Sequence, residues 1–138
     1  MRKDFHAYLK LQKSIAPWQS GMGWHVRLTV RYGQALELHE RVGDLVGSSS
    51  LRTNLAQLHM RRGELDSARE LVNTSIAQKS LLNDGYGLAI ALYTKGLIET
   101  ESGDVAAART LFNEALTHAT RIEEQPIIDE IQSVLKTL

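Results

Sequence analysis

Between positions 105 and 121 the apolar residues fall at Val105, Ala108, Leu111 and Phe112, Ala115 and Leu116, and Ala119. Steps of three and four put them on one face of an α-helix, so the stretch reads as a helix with one buried side. The stretch before it, 85–102, runs from YGLAIALYTKG to TES without proline, and Gly103 stops it. Glycine suits that place because a helix can end there in the left-handed conformation without a Cβ penalty. A third apolar stripe closes the sequence: Ile127, Ile128, Ile131, Val134, Leu135 and Leu138, with Asp129, Glu130, Gln132, Ser133, Lys136 and Thr137 on the other side.

The pattern repeats. RGELDSARELVN at 62–73 and SGDVAAARTLFN at 102–113 stand forty positions apart. The same shift adds Gly23 to Gly63 and Gly103, aligns Leu28 with Ala68 and Ala108, and aligns Tyr32 with Val72 and Phe112. It also matches Asp44 with Asp84 and Glu124, and Gly47 with Gly87. A fixed period of this size means stacked units, none of which can bury its apolar face alone. Each unit reads as two helices. Asp44 and Asp84 (or Asn83) sit where a helix should begin and can cap it through a side-chain oxygen. Glu124 is a poorer cap, but Pro126 suits a first turn. Ala56 or Gly96 in the first helix of a unit, and Ala68 or Ala108 in the second, let the two cross closely.

The expected fold is all-α: about seven helices, in three antiparallel pairs and a terminal helix, stacked in a right-handed superhelical arc. The expected domain is one, 1–138, with a degenerate first repeat at 3–43, repeats at 44–83 and 84–123, and a last helix at 126–138. That helix either covers the last repeat or begins a fourth one.

Composition narrows the class. With no cysteine among 138 residues, disulfides, Cys-ligated zinc, iron–sulfur clusters and thiol nucleophiles are excluded. No apolar run approaches the ~20 residues of a membrane span, and residues 1–20 lack a signal-peptide stretch. A soluble cytoplasmic protein is therefore expected, with no membrane partner. Net charge is zero, yet residues 1–62 hold ten Lys/Arg against four Asp/Glu, and residues 63–138 six against twelve. This polarity suggests weak, salt-dependent head-to-tail self-association, screened beyond ~8 Å at physiological ionic strength.

The stretch Leu92-x-x-Lys95-Gly96, followed by Gly103 and then Ala108-x-x-x-Phe112-x-x-Ala115, resembles the tetratricopeptide (TPR) repeat. The second unit follows it through Leu55-Ala56, Gly63, Ala68, Val72 and Ser75-Ile76, so the resemblance covers roughly 45–121. It is weak over 1–24, where Pro17 and the PWQSGMG loop interrupt a first helix. A forty-residue period lies nearer to HEAT-like repeats than to the usual TPR length of ~34. The glycine-ended first helix and the small–small crossing favour TPR. The extra residues add about one turn at ~3.6 residues per turn to each helix.

Catalytic signatures are missing. His39-Glu40 opens like the zinc-protease motif, but Gly43 stands where the second histidine belongs. His6, His25, His59 and His118 are scattered, no glycine loop is built for phosphate, and no serine lies in G-x-S-x-G. No enzyme activity, metal or cofactor is expected. Nucleic-acid binding is not expected either, since Lys10, Lys13, Arg27, Arg31, Arg52, Arg61 and Arg62 form no dense run.

The TPR resemblance implies recognition of a protein or peptide segment along the concave side of the first helices. Matched turn by turn, that face is Thr53, Asn54, Gln57 and Arg61 in the second unit. In the third it is Ile90, Tyr93, Thr94, Leu97 and Glu101. Lys13 and Asn54 fall on two positions of the carboxylate clamp of chaperone-binding relatives. Pro17, Ile90 and Thr94 depart from the other three, so a clamp is not expected. Three functions stay open: a peptide-binding module, a sensory or regulatory domain of a bacterial signalling or transcription-regulatory protein, and a self-association module.

Overall fold

In the computed structural model, residues 22–138 are described, and they form six helices: α1 (Met22–Arg41), α2 (Leu45–Arg61), α3 (Leu65–Leu81), α4 (Gly85–Glu101), α5 (Val105–Arg121) and α6 (Gln125–Thr137). The helix expected before Gly23, with Lys13 on it, lies outside the described residues. Gly23 itself lies within α1 and so does not end a helix there.

Helices α2 to α5 are each seventeen residues long and three-residue turns separate them, so one helix with its turn takes twenty residues and each helix pair takes forty. The turns explain why. Gly43, Gly63, Asn83, Gly103 and Glu123 all adopt positive φ, between 56° and 88°. At each, the next N–H reaches back five residues: Asp44 to the His39 carbonyl, Glu64 to His59, Asp84 to Lys79, Asp104 to Glu99 and Glu124 to Ala119. This is the Schellman arrangement, which satisfies carbonyls that a helix end would otherwise strand. Asn83 therefore makes the turn, and Asp84 makes the cap.

The residue that closes one helix opens the next. Asp44, Asp84 and Asp104 accept from the N–H groups of Gly47, Gly87 and Ala107 at 2.9, 2.9 and 3.0 Å. The Gly47 N–H, and the His39 ring beside it, hold the Asp44 carboxyl below the usual carboxylate range. Glu64 and Glu124 make no such side-chain bond, and Pro126 opens α6 in its first turn.

Pairs α2–α3 and α4–α5 pack closely, and α2 also touches α4 while α4 touches α6. The first helices of successive pairs thus form one layer. The main core lies between α4, α5 and α6 and includes Tyr86, Ala89, Leu92, Tyr93, Ala108, Phe112, Ala115, Ile127 and Ile131. A smaller core joins α2, α3 and α4 through Ala56, Ala68, Val72, Ala91 and Ile98. Ala108 is fully buried at the crossing of α4 and α5. Ala108→Leu is expected to overpack it and cost about 1–3 kcal/mol in urea unfolding. A neutral result would mean that the crossing yields freely.

Ion pairs fix neighbouring helices in register. Arg52 on α2 reaches Glu40 on α1 at 3.0 Å and Gln78 on α3 at 2.9 Å. Arg69 on α3 meets Glu99 on α4 at 2.7 Å, a contact that holds its guanidinium above its usual pKa.

Candidate functional site: the layer of α2, α4 and α6

Helix α6 is the third helix of the layer. Ile127 and Ile131 are buried against α4 and α5, whereas Asp129, Gln132 and Lys136 are exposed. Lys136 stands forty positions beyond Gly96, the glycine that receives Phe112. The face by which α4 accepts its partner helix, at Ala89, Leu92 and Gly96, is polar in α6, at Asp129, Gln132 and Lys136.

The residues matched to the concave face divide into two groups. Thr53, Gln57, Ile90, Tyr93 and Thr94 are turned inward and are at most 8% exposed. Thr53 Oγ1 donates to the Ser75 hydroxyl on α3 at 2.7 Å, and Ser75 Oγ donates in turn to the Ser49 carbonyl at 2.8 Å. Tyr93 lies 5.6 Å, ring centre to ring centre, from Phe112, and its hydroxyl donates to Glu130 Oε2 at 2.8 Å. That bond ties α4 to α6. Thr94 Oγ1 donates to the Ile90 carbonyl at 2.9 Å.

Asn54, Arg61, Leu97 and Glu101 keep surface. The first three are half-buried and Glu101 is exposed. Arg61 is the last residue of α2 and Glu101 the last of α4, so opposite charges occupy matching places on adjacent helices. Leu97, one turn earlier, packs partly against the main core.

The family profile described as Tetratricopeptide repeat matches residues 47–121, more than half of the chain. This chain belongs to the tetratricopeptide repeat family. No curated protein sequence matches it closely enough to count as a relative. Tetratricopeptide repeats are protein–protein interaction modules in general, and protein partners follow for this chain at that level. Among the described residues, no helix is long and apolar enough to cross a membrane, and no group of three His, Cys, Asp or Glu side chains could hold a metal ion.

Two features of this TPR fold escaped sequence reasoning. One is Lys79, only 4% exposed, whose Nζ donates to Ser50 Oγ at 2.9 Å and to Asp84 Oδ2 at 3.2 Å. The other is Gln57, whose amide is fully buried with neither polar atom hydrogen-bonded. A signal existed for both: in the next repeat their places are held by Ala119 and Leu97.

Proposed function

We propose that the layer formed by α2 and α4 binds an extended protein or peptide segment, with Asn54, Arg61, Leu97 and Glu101 as the contacting residues. Asn54 carries this reading. A mid-helix asparagine is slightly unfavourable for the helix, and on α2 its neighbours Thr53 and Gln57 are buried while Asn54 keeps part of its surface in solvent. Its amide offers a donor and an acceptor, which suits a peptide backbone whatever the side chains. Leu97 adds apolar area, and the Arg61 and Glu101 ends give the surface both signs of charge. Thr53, Gln57, Tyr93 and Thr94 act in this reading as supports under the contacting residues. Lys13 lies outside the described residues and stays a candidate from the family pattern alone.

The test begins with affinity capture on the full chain, partners being identified by mass spectrometry. Asn54→Ala should then weaken the captured partner by about 1–2 kcal/mol, roughly 5–30-fold in Kd. The melting temperature should hardly change, since the side chain leaves no buried gap. Unchanged binding by both Asn54→Ala and Leu97→Ala would move recognition off this layer.

A further inference from the structure

The two complete helix pairs share one backbone but differ in what lies between their helices. Where α4–α5 carries Ala89, Tyr93, Leu97, Ala115 and Ala119, the pair α2–α3 carries Ser49, Thr53, Gln57, Ser75 and Lys79. Those five polar residues are all buried. Four of them are satisfied across or along the pair: Ser49 Oγ donates to the Val46 carbonyl at 3.0 Å, Ser75 Oγ donates to the Ser49 carbonyl at 2.8 Å, Thr53 Oγ1 donates to Ser75 Oγ at 2.7 Å, and Lys79 Nζ donates to Ser50 Oγ at 2.9 Å. The Gln57 amide is not satisfied at either atom.

Opening the two pairs has different consequences. Separating α4 from α5 exposes aromatic and aliphatic surface that water solvates poorly. Separating α2 from α3 also exposes a smaller apolar set, Ala56, Ala68 and Val72, but over the five polar positions it exchanges protein hydrogen bonds for water hydrogen bonds, a nearly even trade, and hydrates an amide that was stranded. We propose that α2–α3 is the pliable segment of this solenoid: it opens as a unit while α4–α6 stays packed, and the buried Gln57 amide sets how readily it does so. Such sub-global openings are the low-lying excursions of a native protein. Here the excursion centres on one layer position, and it holds whichever surface the partner uses.

Hydrogen exchange of the full chain under native conditions, read by mass spectrometry, tests this directly. Peptides within 48–58 and 68–79 should share one rate, at least about tenfold faster than peptides within 88–98 and 108–119. Gln57→Met, similar in length and without the amide, should slow exchange of α2 and α3 together by about tenfold and leave α4 and α5 unchanged. Fraying from the nearer chain end would not respond to this substitution. Gln57→Leu, which installs the residue found at 97, serves as the second variant if the first folds poorly by circular dichroism. A common rate across all four helices overturns the proposal. So does an α2–α3 rate that neither variant slows.

Discussion

Phe112→Ala is expected to lower the unfolding free energy by about 3–5 kcal/mol, the usual cost of emptying a buried aromatic site. Phe112 is wholly buried and stands at the junction of three helices. Its ring lies in the notch left by Gly96 on α4 and packs at a 50° tilt against Tyr93, whose hydroxyl in turn holds Glu130 on α6. Truncation therefore removes the side chain itself and loosens the Tyr93 contact that links α4 to α6. Domains of this size are stable by only about 5–15 kcal/mol, so the variant should unfold at much lower urea with a similar slope. A loss under about 1 kcal/mol would show that the α4–α6 core closes over the gap, against the close packing described above.

Gly96→Val is expected to cost about 3 kcal/mol, at the upper end of overpacking penalties. A Cβ at this position would lie 2.6–2.9 Å from Cε1, Cδ1 and Cζ of Phe112, whose ring is wholly buried. The sign is informative, because replacing glycine in an exposed helix interior with alanine would stabilise by about 1 kcal/mol. Gly96→Ala should accordingly destabilise despite its better helix propensity. The penalty should shrink in a Phe112→Leu background, where the ring is gone; direct neighbours couple in this way. Equal penalties in the two backgrounds would mean that the ring is not what excludes a side chain at 96.

The small–small crossing was legible because it is a sequence fact: Ala68 and Ala108 recur at one place, and Ala56 and Gly96 at another. The turns were legible only in part. Gly63 and Gly103 announce themselves, whereas Asn83 and Glu123 take the same left-handed conformation without glycine. Glycine therefore marks the turn inside each pair, while Asn83 and Glu123 make the turns that follow the second helices. Gly23 shows the converse, since a glycine aligned by the repeat sits inside a helix. The candidate surface was the least legible. Helical spacing groups Thr53, Asn54, Gln57 and Arg61 on adjoining parts of one face, yet the structure buries the first and third and leaves the second and fourth half-exposed.

By itself the sequence determined the local choices: helices from a three-to-four-residue apolar period, caps from Asp44 and Asp84, and pairing from recurring small residues. Each of those depends on neighbours within a few positions, or on a pattern repeated along the chain, and both are written linearly. Only the tertiary structure decided how far each polar residue is withdrawn from water. Tyr93 is spent on Glu130, thirty-seven residues away, and Thr53 on Ser75, twenty-two away. Gln57 is covered with no partner. Burial depends on which helices lie alongside at that level of the stack, and a helical period fixes a residue's direction from its own axis but not what stands opposite.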